Sequence, residues 1–207
     1  MQNKRKGLML VLSSPSGAGK TSICKRVLDK EKKIVMSISY TTRPKRKSEK
    51  NGFDYFFINK KKFDELKSSD YFVEYANVFD HHYGTPKDFI DKNLQNGIDV
   101  LFDIDWQGAQ KLSNYSKDDM VSVFILPPNN KSLLERLKKR NEDSIKTVKK
   151  RMGKAKSEIS HWIEYDYIVI NEDLEQSANE VITILRAERK KRSRQKFVFD
   201  LIENLTK

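Results

Sequence analysis

The stretch Ser13-Ser14-Pro15-Ser16-Gly17-Ala18-Gly19-Lys20-Thr21 combines small residues, a lysine and a hydroxyl in an order suited to holding a polyphosphate. Backbone N–H groups in such a loop converge on an anion. The segment that follows, residues 21–31, has helical character, and a helix N-terminus adds partial positive charge at the same place. In this arrangement Lys20 brings an ammonium to the β- and γ-phosphates, and Thr21 offers a hydroxyl to Mg²⁺. The pattern G-x-x-x-x-G-K-[ST] begins with glycine, whereas this chain has Ser14 there.

Asp103 closes the apolar run Val100-Leu101-Phe102, the place of a Walker B carboxylate that holds Mg²⁺ through water beside Thr21. Arginines stand where further phosphates would need them: Arg43 and Arg46 in one polar stretch, Arg136 and Arg140 around one helix end, and Arg151 on a long helix. A loop that moves a phosphoryl group between two anions must neutralise both, and guanidinium forks do so bidentately. Other chemistries have little support. His81 and His82 are adjacent and His161 is alone, so no zinc-ligand spacing exists, and no Ser/His/Asp arrangement is present.

These residues need elements to position them. Residues 8–12 read as a buried strand before the loop. Short apolar strands follow at 34–38, 99–104, 121–126 and 167–170, alternating with helices at 87–95, 131–139, 145–162 and 173–192. That alternation means a parallel sheet with helices on both faces. Residues 39–90 interrupt it. Asn51-Gly52 is a turn signal with an aromatic, strand-favouring run behind it, residues 60–67 suit a short helix, and residues 72–79 read as extended. His82-Tyr83-Gly84-Thr85-Pro86 reads as a turn, with Pro86 opening the next helix. The fold expected is therefore α/β, a P-loop NTPase-type parallel sheet with a strand-rich insert.

With 207 residues the chain suits a single domain carrying inserted lobes. Its net charge of +12 fits anionic partners without choosing among them. Half of that excess lies in residues 186–196, where seven basic residues stand against one acid, a net of +6. This stretch is read as the solvated end of a helix, with Phe197, Phe199, Leu201, Ile202 and Leu205 docking back onto the body, and nucleic-acid binding is at most a weak added contact. The single Cys24 cannot form an internal disulfide and reads as buried packing in a reducing compartment. The apolar run after Lys4-Arg5-Lys6 is too short for a signal peptide, and no stretch approaches a membrane span, so a cytoplasmic protein is expected. The sequence leaves monomer and homo-oligomer both open.

Nearly end to end, the chain resembles guanylate kinases. The resemblance is carried by the phosphate loop, by Ser37-Ile38-Ser39-Tyr40-Thr41-Thr42-Arg43-Pro44-Lys45-Arg46, by Asn51-Gly52-Phe53-Asp54-Tyr55, by Tyr83-Gly84-Thr85 and by Asp103-Ile104-Asp105-Trp106-Gln107-Gly108. It implies ATP + GMP ⇌ ADP + GDP with Mg²⁺, ATP and GMP being the small-molecule partners. It also implies a core formed by residues 7–38, 97–136 and 152–192, a GMP-binding lobe at 39–90, a lid at about 137–150 and a basic tail at 186–207. By motif position, Arg43, Arg46, Tyr55 and Tyr83 hold the GMP phosphate, and Ser39, Glu74, Thr85 and Asp105 read guanine. Ser14, Pro15, Ser16, Gly17, Ala18, Gly19, Lys20 and Thr21 cradle ATP, with Asn171 near the adenine. Lys20, Arg43, Arg140 and Arg151 act on the transferring phosphoryl, and Thr21 and Asp103 serve Mg²⁺. Where the family pattern has a Gly-Arg-Gly-like stretch, this chain has Lys139-Arg140-Asn141. The resemblance also admits a non-catalytic interaction domain, or a related P-loop kinase with another phosphorylated acceptor.

Overall fold

Strand β1 (Met9–Ser13) is buried along its whole length, and its side chains divide between two cores. Leu10 and Leu12, with Leu8 just before the strand, join one cluster, while Met9 and Val11 join another. An uninterrupted apolar run of this kind belongs to a parallel strand covered on both faces. In this computed structural model β1 is the centre of a five-stranded sheet ordered β2 (Ile34–Met36), β7 (Asp99–Asp103), β1, β8 (Met120–Leu126) and β9 (Tyr167–Ile170), every pairing parallel. The structure describes residues 5–78, 80–139, 145–195 and 197–207, and for 139, 145–151 and 197 it describes the backbone alone.

Helices α1 (Lys20–Lys30) and α7 (Leu174–Lys190) cover the first face through Ile23, Val27, Val181 and Leu185. Helices α3 (Lys87–Gln95) and α4 (Trp106–Ser116) cover the second through Ile90, Leu94, Ala109 and Leu112. A small separate core joins α5 (Asn130–Lys139) to α6 (Ile145–Ile159) through Leu133, Leu137 and Ala155.

The insert folds as a second sheet ordered β4 (Phe56–Phe57), β3 (Tyr40–Thr41), β6 (His81–Pro86) and β5 (Phe72–Val78). Helix α2 (Lys60–Ser68) starts at Asn59, whose side chain accepts from the Lys62 amide at 2.8 Å, and buries Phe63 against Phe72. Two expectations need correction here. Residues 82–86 are strand, not turn, because each pairs with β5 or β3 across an antiparallel hairpin and Gly84 lies flat under the ring of Phe72. The aromatic run after Asn51-Gly52 yields only two strand residues, since Gly52 turns back through φ +75° and donates to the Tyr55 carbonyl at 2.8 Å.

The fully buried carboxylate of Asp99 latches the N-terminal end of the sheet. It accepts two hydrogen bonds from Arg5 at 2.7 Å each, one from the Leu8 amide at 2.9 Å and one from Arg189 Nε at 2.7 Å. Glu31 at the end of α1 holds Arg189 at 2.5 Å and Arg186 at 2.7 Å. Replacing Asp99 with alanine takes the carboxylate from Arg5, leaves Arg189 to Glu31 and the Lys32 carbonyl, and removes the acceptor of the buried Leu8 amide. The expected loss is about 3 kcal/mol of unfolding free energy, seen as a lower urea midpoint with unchanged slope.

This latch also settles where the basic stretch spends its charge. Arg186 and Arg189 are engaged as above, and Lys191 and Arg194 pair with Glu188 at 3.3 and 3.4 Å, so four of the seven bases serve the chain itself. The expected docking of the tail is not found. Phe199, Leu201, Ile202 and Leu205 on α8 (Phe197–Leu205) are all exposed, and the side chain of Phe197 lies outside the described residues. Cys24 is buried as expected, and burial pushes its thiol well above the ordinary value. Among the described residues no helix is long and apolar enough to cross a membrane.

Candidate active site

Parallel pairing sets Leu12 beside Asp103, so the loop after β1 and the carboxylate ending β7 emerge together. The ammonium of Lys20 lies 2.9 Å from Asp103 Oδ1 and donates to the Ile104 carbonyl at 2.5 Å. The hydroxyl of Thr21 donates to Asp103 Oδ2 at 2.6 Å. Three groups assigned to the donor phosphates and the metal thus meet at one carboxylate.

The loop answers how serine stands at its first position. Positive φ occurs at Gly17 (+95°) and Gly19 (+97°) but not at Ser14, so the backbone there accepts a Cβ. Gly19 is irreplaceable for a second reason, since a Cβ on it would come within 2.3 Å of the Asn171 amide nitrogen. Pro15 and Ala18 face inward and are buried. Asn171 braces the loop from below: its amide donates to the Ala18 carbonyl at 2.7 Å and its oxygen accepts from Ser177 at 3.2 Å. Arg136 adds bonds to the carbonyls of Ala18 (3.2 Å) and Asn171 (2.8 Å). From α6, Glu158 accepts from the Ser16 amide at 3.1 Å.

Across a cleft of about 1500 Å³ stands the second sheet. Glu74 on β5 and Thr85 on β6 are register partners, and the Thr85 hydroxyl donates to Glu74 Oε1 at 2.6 Å. The Ser39 hydroxyl lies 3.3 Å from that of Thr85. Burial pushes Glu74 up to about 7; the charge of Asp105 adds to this, while the Thr85 bond and Lys111 oppose it. Asp105 caps α4, accepting from the Gly108 amide at 3.0 Å and from the Gln107 side chain at 3.1 Å. Gly108 packs closely beside it, since a Cβ there would lie 3.1 Å from Ile104 Cδ1 and 3.3 Å from Glu74 Oε2.

Farther along the cleft Arg43 lies over the rings of Tyr55 (5.4 Å) and Phe57 (5.7 Å), and Tyr55 meets Tyr83 edge to face at 5.8 Å. Arg46 lines the same wall. Of the arginines expected on the transferring group, Arg140 lies outside the described residues, and Arg151 is described only as backbone within α6. Apart from these two, every residue singled out in the sequence either lines the cleft or supports a residue that does.

Arg136, expected to meet a phosphate, braces the loop from the helix face that carries Leu133 and Leu137. Two residues of the site escaped the sequence reading. Glu158 carried a signal, as a charge one turn beyond Ala155 on the buried stripe of α6. Glu49 looked like one more acid in a charged loop, yet its carboxylate accepts from Arg43 at 2.6 Å.

A family model described as guanylate kinase matches residues 6–188. A guanylate kinase of Paramagnetospirillum magneticum is 51% identical over 201 residues, covering 97% of this chain and 94% of that protein. One of a Wolbachia of Brugia malayi is 49% identical over 193 residues, covering 93% and 99% respectively. Among solved structures, the guanylate kinase from Anaplasma phagocytophilum superposes with a TM-score of 0.82 at 38% identity, covering 99% of this chain and 97% of that one.

Proposed function

The chain belongs to the guanylate kinase family and has its activity, phosphoryl transfer from ATP to GMP, and we propose that the two walls of the cleft divide the substrates between them. The loop of residues 14–21 cradles the ATP phosphates, with Lys20 on the β- and γ-phosphates. Asn171 fixes the loop and borders the adenine. The second sheet receives GMP. Arg43, Arg46, Tyr55 and Tyr83 take its phosphate, and Glu74, Ser39, Thr85 and Asp105 read its base.

The observation that carries this division is the buried carboxylate of Glu74, opening on the same cleft as Lys20 and Asp103. A carboxylate taken from water needs donors to face it. Guanine supplies two on one edge, N1–H and N2–H₂, whereas adenine sets an acceptor, N1, against it. The hydroxyl of Ser39 suits guanine O6, and the Thr85 hydroxyl holds Glu74 for the pairing. Arg43, with Arg140 from the lid at about residues 137–150 and Arg151 just beyond it, neutralises the transferring group, and lid closure excludes water.

Thr21 and Asp103 offer a hydroxyl and a carboxylate that already touch at 2.6 Å. Hard oxygens in so small a number fit Mg²⁺, which leaves most of its shell to water and phosphate. When bound there it supplies charge neutralisation at the phosphates.

The direct test is ADP release from MgATP, with GMP, AMP, CMP and UMP offered in parallel. Release with GMP alone is expected; no release with any of the four, from folded protein that binds GMP, would overturn the assignment.

A pH dependence follows from Glu74. With its carboxyl at about 7 in the empty protein, the form that pairs with guanine is lost as pH falls through 7. The KM for GMP is expected to rise, approaching about tenfold per unit well below pH 7, while the KM for ATP stays nearly level over pH 6–8. Steady-state kinetics at fixed ionic strength check both arms.

A further inference from the structure

We infer that Glu49 is a positioning residue for the acceptor phosphate, fixing the guanidinium of Arg43 and the turn that carries Arg46. The inference rests on the proposal above that these arginines receive the phosphate of GMP.

Glu49 has one carboxylate and divides it. Oε1 accepts from Arg43 Nη2 at 2.6 Å and lies 3.8 Å from Arg46 Nη1, while Oε2 accepts from the backbone amide of Arg46 at 2.8 Å. Both guanidinia therefore gather round a single acid. Burial alone would raise the Glu49 carboxyl, but the bonds from Arg43 and from the Arg46 amide outweigh it and hold the group below the ordinary carboxylate range.

A carboxylate against phosphate-binding arginines admits two opposite roles. It could occupy the anion's place in the empty cleft and compete with the substrate. Alternatively it could stay where it is and aim the arginines. The surroundings decide for the second. The turn is closed on itself, since the Glu49 amide donates to the Arg46 carbonyl at 3.2 Å and the Lys45 ammonium donates to the Glu49 carbonyl at 2.9 Å. The side chain is only 12% exposed. A group anchored to backbone on one side and sealed on most others does not swing away when an anion arrives. Arg43 has further fixed neighbours in the Pro44 carbonyl, which accepts from Nη1 at 2.8 Å, and in the rings of Tyr55 and Phe57. Glu49 supplies the charged member of that frame. Arginine side chains lose much rotamer freedom when they bind, so a guanidinium held in place beforehand gives up less on meeting phosphate. The carboxylate also relieves repulsion between two cations three residues apart in sequence.

The test compares GMP with guanosine, which presents the same base and lacks the phosphate. Binding of both is measured by calorimetry for the parent protein, Glu49→Ala, Glu49→Asp and, as control, Arg43→Ala. Glu49→Ala is expected to weaken GMP about tenfold and to leave guanosine within twofold, with the KM for ATP unchanged. Glu49→Asp, which keeps the charge on a shorter arm, is expected to recover part of the loss. Tighter GMP binding by Glu49→Ala would overturn the inference, because it marks a competitor rather than a brace. Equal losses for GMP and guanosine would also overturn it, because they mark general damage to the lobe. If Arg43→Ala leaves GMP binding intact, the fault lies in the assignment of the phosphate site itself. If Arg43→Ala weakens GMP and Glu49→Ala does not, Glu49 alone loses its role.

Discussion

Lys20→Ala is expected to lower kcat by about a thousandfold while the protein stays folded and still binds GMP. Asp103 and the Ile104 carbonyl hold the Lys20 ammonium at 2.9 and 2.5 Å, at the mouth of the loop and at the C-terminal edge of the sheet. In the proposed arrangement it faces the place where negative charge moves from the γ-phosphate to the β-phosphate oxygens, and donors fixed at such a place act most on the transition state. Removing one costs about 10²–10³ in kcat, and loss of a full positive charge lies at the upper end. Stability changes little, because Asp103 keeps its bond from Thr21 and is partly open to water. Rapid-quench turnover with a matched GMP titration checks both halves. Near-parent turnover from folded protein would remove Lys20 from the mechanism.

Glu74→Gln gives the second large effect, and it has two signs. The amide matches the shape of the carboxylate but carries a donor where guanine also donates. One base hydrogen bond is replaced by a clash of N–H groups and another loses its charge, so kcat/KM for GMP is expected to fall by about 10²–10³. Stability moves the other way. The Glu74 carboxyl sits near 7 in the folded protein, above its ordinary 4.5, so the folded state prefers the proton. Its contribution to stability is full below about 4.5 and is lost as pH rises through 7. Glutamine removes that penalty, and the empty variant should melt higher than its parent at pH 8 and no higher at pH 5. A variant that loses both activity and stability at pH 8 would instead make Glu74 a structural acid.

The sequence reading succeeded where one short segment carries the whole instruction. The loop of residues 13–21 is such a segment, because small residues, Lys20 and Thr21 are contiguous and the strand before them is apolar throughout. Parallel β strands at 99–103, 120–126 and 167–170 were legible for the same reason. It failed where meaning depends on a distant partner. Residues 82–86 have turn composition, and only pairing with β5 and β3 makes them strand. The apolar residues at 199–205 were expected to dock on the body, and they stand exposed on a separate short helix, α8, because nothing in their own composition says which surface would receive them. Glu49 and Glu158 look like surface acids until Arg43 and the Ser16 amide are seen to face them.

The latch at Asp99 imposes an order on biosynthesis. Its last hydrogen-bond donor, Arg189, follows it by 90 residues in the chain. At roughly 5–20 residues per second, that donor leaves the ribosome many seconds after β7 is ready to pair. Until then a carboxylate waits at the sheet edge with only Arg5 and one amide against it, and water must stay near. The end of the sheet far from the cleft is completed only when α7 brings the second guanidinium, and a chain cut before Arg189 is expected to unfold at a lower urea midpoint than the full one.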